Sequence, residues 1–337
     1  MNCNLCPRKC NADRNQKNGY CGAPERLRVA RAALHMWEEP CISGNNGSGA
    51  VFFSGCTLRC VFCQNHDIAA GLNGKEISTE RLRDIFLELQ DKKANNINLV
   101  TPSHYVPRIA AALDMAKQQG LKIPIVYNTS SYENVDTLKM MDGLTDVYLP
   151  DMKYTDSRLS MRYSYAGDYF DVAAKALEEM YRQVENPVFA DKDTAKQLGI
   201  EEDMMIKGII VRHLCLPGQI EDSKRVLDYV YENYGDAVYI SIMNQYTPLD
   251  NVKDIPELNR RVTDEEYSEL IDYAQNLGIV NGFIQEGTTA LESFIPDITF
   301  TVTSSIYSTS SNVSESCMIT PLKPPSPTSR LLPFPMT

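Results

Sequence analysis

The chain has 337 residues, 43% of them hydrophobic, with 33 Lys and Arg against 44 Asp and Glu, a net charge of −11 and an isoelectric point near 5.0. That length can bury a full core as one large domain or two of moderate size. The acidic balance argues against prolonged contact with nucleic acid, whose phosphates need a basic face, and against anionic membrane surfaces. Ten cysteines, with no signal peptide and no long apolar span in the sequence, point to a reducing compartment, the cytoplasm.

In chain order, residues 1–40 come first as a Cys-rich segment, with Cys3, Cys6, Cys10 and Cys21 in the pattern C-x2-C-x3-C-x10-C and Gly22 following. Four thiols so close in a reducing compartment read as a metal knuckle rather than as disulfides. Zinc is the first expectation and an auxiliary iron–sulfur cluster the second, with unliganded thiols the remaining reading.

Residues 41–298 repeat an alternation of strand and helix. Apolar strand-like runs occur at Ala50–Phe53, Ile97–Val100, Ile123–Tyr127, Asp146–Leu149, Ile206–Val211 and Val238–Ile242. Amphipathic helices are expected at Ser78–Gln90, Val106–Gln119, Tyr169–Val184, Ser223–Tyr234 and Asp264–Asn276. Such alternation favours a parallel α/β sheet with right-handed crossovers. Six units are too few for a closed eight-stranded barrel, so the expectation is an open (βα)6 partial TIM barrel with its chemistry at the carboxyl ends of the strands. Gly44, Gly47 and Gly49 precede a strand instead of opening a helix, which disfavours a doubly wound nucleotide-binding sheet. From 299 to 337 Ser, Thr and Pro make up more than half of the residues, and a disordered low-complexity tail is expected.

Directly after the first strand run lies Ser54-Gly-Cys-Thr-Leu-Arg-Cys-Val-Phe-Cys-Gln-Asn65. Cys56, Cys60 and Cys63 offer three thiolates at spacings of four and three. A cubane iron–sulfur cluster takes four, so this loop could wrap one [4Fe-4S] cluster and leave one iron open to substrate. A closed zinc site of the same three cysteines with His66 is the alternative, although structural zinc sites usually divide their ligands into two pairs.

The spacing, with Phe62 before the last cysteine, resembles the radical S-adenosylmethionine (radical SAM) superfamily. The wider context, Glu38-Glu39-Pro40, Ile42-Ser43-Gly44 and Gly55-Cys56 through Asn65, resembles the pyruvate formate-lyase activating enzyme-like group, from about Cys3 to about Ile295. The resemblance implies that the open iron chelates S-adenosylmethionine. It also implies that the reduced cluster cleaves the sulfonium to a 5′-deoxyadenosyl radical for hydrogen abstraction.

Carried onto this chain, the resemblance implies cofactor contacts from residues at strand ends. Thr101, with Pro102, Ser103 and His104, stands where relatives carry Gly-Gly-Glu, and Ser103 equally suits a helix cap. Asn128 and Thr129 resemble an Asp-Thr-Asn-Gly segment, and Asp151-Met152-Lys153 resembles Asp-Leu-Lys. Asp151 and Lys153 also read as a solvated ion pair worth under about 1 kcal/mol. Arg212 is the expected partner of the methionine carboxylate, with His213 in place of an aromatic residue. Asn244, Gln245 and Tyr246 are candidates for the substrate opening, Gln285 a weak one, and Cys215 reads as a small buried apolar residue.

The expected function is radical SAM chemistry, with a glycyl-radical enzyme or a peptide as partner and flavodoxin or ferredoxin as electron donor. A small-molecule radical SAM enzyme and a non-catalytic iron–sulfur or zinc protein for binding or electron transfer are the other readings.

Overall fold

The computed structural model describes residues 3–286 and 318–321. Among the described residues eleven strands are formed: β1 Arg28–His35, β2 Ser48–Phe53, β3 Lys75–Glu76, β4 Ile97–Val100, β5 Ile125–Thr129, β6 Val147–Pro150, β7 Val188–Phe189, β8 Met205–Leu214, β9 Tyr239–Met243, β10 Gly282–Glu286 and β11 Met318–Pro321. The order across the sheet is β11-β10-β9-β8-β6-β5-β4-β2-β1-β3, with β7 pairing with β8 off that path.

From β2 to β10 every neighbouring pair on this path is parallel. The six strands read from the sequence are present, and β10 adds a seventh parallel strand after helix Asp264–Leu277. The two ends of the path are separate edges, carrying β3 and β11, so the barrel is open. Of the tail expected to be disordered, Met318–Pro321 pair antiparallel with β10, and residues 299–317 and 322–337 lie outside the described residues. β1, inside the Cys-rich segment, pairs antiparallel with β2 and joins that segment to the sheet.

The local causes are those of an α/β layer. β2 is buried along its whole length, as expected of a parallel strand covered on both faces. Helix Thr79–Asp91 is capped by Ser78, whose side chain accepts from Arg81 N, and buries Leu82, Ile85, Phe86 and Leu89 on one stripe. Helix Asp264–Leu277 opens with a Thr263–Glu266 capping box. These helices and one sheet face build the main core around Val51, Leu99, Ile125, Tyr148, Val211 and Ile242. The opposite, concave face has a smaller core with Ile42, Val126, Leu149, Ile210 and Phe283. Above that core, at the carboxyl ends of the strands, the sheet opens into a cavity.

Phe86 is wholly buried in the main core. Phe86→Ala should therefore lower stability by about 3–5 kcal/mol. Loss of the Thr263 cap in Thr263→Ala should lower it by about 1 kcal/mol. Urea unfolding of both variants against the parent checks the order.

Candidate functional site

The cavity has a volume of about 270 Å³, and Cys56, Cys60 and Cys63 line one side of it. The loop that carries them is held tightly. Gly55 has φ +97°, and a Cβ there would stand 2.6 Å from the Cys21 carbonyl oxygen, so only glycine fits. Phe62, 7% exposed, packs its ring edge-on against Tyr246 with centroids 6.1 Å apart. Ser164 Oγ donates to Cys60 Sγ at 3.0 Å, and the Leu58 N–H to Cys56 Sγ at 3.4 Å. Burial pushes the Cys60 thiol up to about 11 and the Cys63 thiol to about 12, and the neighbouring thiols add to the shift. Filling the site with a metal or cluster must therefore displace protons.

Facing the cysteines is a wall of charge. Arg212 donates from Nε to Asp151 at 3.1 Å, from Nη1 to Glu38 at 3.0 Å and from Nη2 to Asn128 Oδ1 at 2.6 Å. Lys153 Nζ lies 2.7 Å from Asp151. Burial opposes the charge on Asp151, but Lys153 and then Arg212 outweigh it and hold the carboxyl below its usual range. The side chains of Asp151 and Lys153 are 17% and 15% exposed, so this is not the solvated loop pair that the sequence also allowed. Glu39 is buried with Oε2 unpartnered, and burial pushes its carboxyl up, favouring the neutral acid.

Thr101, Asn128, Thr129, Asp151, Lys153, Arg212, Gln245 and Gln285 line the cavity with the three cysteines. Thr101 has φ 57°, in the region that favours glycine. The Thr129 hydroxyl donates to Glu133. His213 is buried behind the wall, with Nδ1 on the Met152 carbonyl and Nε2 on Ser223. Tyr246 donates to the Leu258 carbonyl, and the Asn244 N–H to Gln285 Oε1. Cys215 is fully buried, as a small apolar residue would be. His66 is exposed beside Asp67. Among the described residues no three His, Cys, Asp or Glu side chains converge as around a single metal ion.

Two carboxylates in the cavity wall were not singled out as site residues from sequence: Glu38 and Glu39. The signal available was two acids before a proline in a short connection, where exposure is the default. A third carboxylate, Glu133, is buried behind the wall, accepting from the Ser103 and Thr129 hydroxyls.

Removing the three-way reach of Arg212 should leave Glu38 and Asp151 poorly compensated. Arg212→Lys should therefore destabilise the protein, approaching the roughly 3–5 kcal/mol of a broken buried pair, as read by urea unfolding. Burial raises the Glu133 carboxyl from 4.5 to about 7. The folded state then keeps a proton that the unfolded chain has lost, so this group's contribution to stability is full below pH 4.5 and falls as pH rises through 7. The slope is at most about 1.4 kcal/mol per pH unit. Stability–pH profiles of Glu133→Gln and the parent should differ by that slope.

A profile of the Radical SAM superfamily matches residues 50–190. An uncharacterized protein of Methanocaldococcus jannaschii is 26% identical over 285 residues, covering 82% of this chain and 75% of that protein. Similar solved structures include Streptococcus suis SuiB bound to S-adenosylmethionine, at 13% identity and TM-score 0.46 over 69% of this chain and 49% of that one. A radical SAM methyltransferase from Sphaerobacter thermophilus matches at 11% identity and TM-score 0.45, over 72% of this chain and 67% of that one. The chain thus spans about half the length of the SuiB structure. Among the described residues no helix is long and apolar enough to cross a membrane. The profile match spans residues 50–190, the stretch that includes the three-cysteine loop.

Proposed function

We propose that this protein is a radical SAM enzyme in which Cys56, Cys60 and Cys63 hold a [4Fe-4S] cluster and the facing wall holds S-adenosylmethionine. The observation that carries this is the meeting, in one cavity, of three thiols from a single loop with a buried wall bearing both signs of charge. When bound, the cluster and S-adenosylmethionine supply one-electron cleavage of the sulfonium and the radical that takes a hydrogen atom.

The residues present fit both groups. Leu58 N–H and Ser164 Oγ–H already point at Cys56 and Cys60, as donors to thiolate sulfur should. The zwitterionic end of an amino acid needs a cation for its carboxylate and acceptors for its ammonium. Lys153 uses one of its donors on Asp151 and keeps others for a carboxylate, while Glu38, Asp151 and the Asn128 amide supply acceptors. Arg212 lines the same wall with all three nitrogens bonded, so its contribution to carboxylate binding runs through its remaining N–H groups and through holding Asp151 and Glu38 in place. Phe62 and Phe52 supply apolar surface to the cavity.

The finer reading is that the hydrogen comes from a backbone glycine of a glycyl-radical enzyme or from another peptide, with flavodoxin or ferredoxin as electron donor in the cytoplasm. It rests on the resemblance of Asp151-Met152-Lys153 and of Arg212 to segments of the activating enzymes.

The test is anaerobic reconstitution with iron and sulfide, reduction, and assay of 5′-deoxyadenosine from S-adenosylmethionine. Product is expected from the parent and none from Cys60→Ala. Lys153→Ala should keep the cluster's visible absorbance but raise the S-adenosylmethionine KM by roughly 10-fold or more, the loss of a charged hydrogen bond. No product from an intact, reduced cluster in the parent would overturn the reading.

A further inference from the structure

The amino-terminal cysteines lie outside the cavity, yet the fold brings them together. Cys3 N–H donates to the Ala12 carbonyl at 2.9 Å and Asn11 N–H to the Cys3 carbonyl at 3.1 Å, closing a small hairpin. Lys9 and Asn11, on either side of Cys10, have φ 41° and 51°, so the chain turns sharply around that residue. A Cβ on Gly19 would stand 3.3 Å from Cys21 Sγ and 3.5 Å from Cys10 Sγ, so these two sulfurs flank the one residue that leaves them room. Cys6 and Cys21 are buried.

A second, independent observation is an unbalanced positive charge at the same place. Arg14 is only 4% exposed, and its guanidinium donates to the carbonyls of Ala23, Pro24 and His104 and approaches Cys3 Sγ at 3.9 Å. Among the described residues no carboxylate forms an ion pair with Arg14 or with neighbouring Arg8. A buried charge is ordinarily paired. Four thiolates around a divalent metal, or around an iron–sulfur cluster, carry net negative charge and would supply the missing partner.

The knuckle is also joined to the reactive loop. The Cys21 carbonyl accepts the Cys56 N–H at 3.1 Å. Arg8, two residues after Cys6, donates to the carbonyls of Thr57 at 2.8 Å and Leu58 at 3.1 Å, and to Ser164 at 2.9 Å, while its guanidinium lies over the Tyr20 and Tyr132 rings.

We infer that Cys3, Cys6, Cys10 and Cys21 hold a tetrathiolate metal centre, and that this centre braces the backbone that carries Cys56 and Cys60. No three of its sulfurs are drawn together as around one ion. The existence of the centre is independent of the proposed function; only the consequence for the loop rests on it.

The test starts from the full chain with Cys56, Cys60 and Cys63 all changed to Ala, purified anaerobically and assayed for iron, acid-labile sulfide and zinc. Retained iron with sulfide identifies a cluster, retained zinc a single ion, and both carry the inference; loss of both metals from a folded protein overturns it. The unmutated protein gives a readout free of folding effects. Cys10 is exposed, so it should resist iodoacetamide until a chelator strips the metal, and alkylation at the rate of a free thiol in the metal-loaded protein would refute the assignment. For the brace, Cys6→Ser with Cys21→Ser should release iron from the Cys56–Cys63 loop to a chelator roughly 10-fold faster, the size of an outer-shell effect on metal affinity. Unchanged release would remove the coupling.

Discussion

The guanidinium of Arg212 is the interaction on which the site depends. It projects from β8 on the concave face and bonds in three directions: to Asp151 after β6, to Asn128 at the end of β5 and to Glu38 after β1. Three segments distant in sequence are thereby fixed around one cation whose side chain is 13% exposed, where burial weakens screening by water. Burial disfavours the charge on Arg212, and the surrounding carboxylates more than offset this, so it stays protonated. Asp151 is in turn shared with Lys153, and the Met152 N–H donates to the Arg212 carbonyl. The wall is therefore pre-organised, and a ligand meeting it need not pay to gather its partners.

On the other side of the cavity the loop from Ser54 to Asn65 has little regular structure of its own. Its order comes from outside: Cys21 and Arg8 from the amino-terminal segment, the His104 ring on the Ser54 carbonyl, and Ser164 on Cys60. Through the Cys21 carbonyl and the Arg8 guanidinium the amino-terminal segment grips this loop, which gives that segment a structural role.

Much of this was legible in the chain. Cys56, Cys60 and Cys63 stand out because ligand spacing is local. The parallel strands were readable because buried strands such as Ile97–Val100 and Ile125–Thr129 are short apolar runs between helices with a clear apolar stripe. Asn128, Asp151, Lys153 and Arg212 could be nominated because the ends of such strands converge. Glu38 and Glu39 escaped because their burial depends on β1, whose sequence Arg28–His35 lacks a two-residue alternation and becomes a strand only by pairing with β2. The triple engagement of Arg212 and the unbalanced charge of Arg14 are properties of long-range neighbours, which no spacing along the chain encodes.

The central claim is that three cysteines leave one iron of a cubane open to the amino acid end of S-adenosylmethionine. Mössbauer spectroscopy of the unmutated protein carrying isotopically labelled iron, with and without S-adenosylmethionine, addresses it most directly, with the protein in which Cys56, Cys60 and Cys63 are all changed to Ala supplying the spectrum of any iron held elsewhere for subtraction. The expected result is a single iron site whose signal moves on addition of S-adenosylmethionine while the others stay. Four sites that respond alike, or none that responds, would contradict the account.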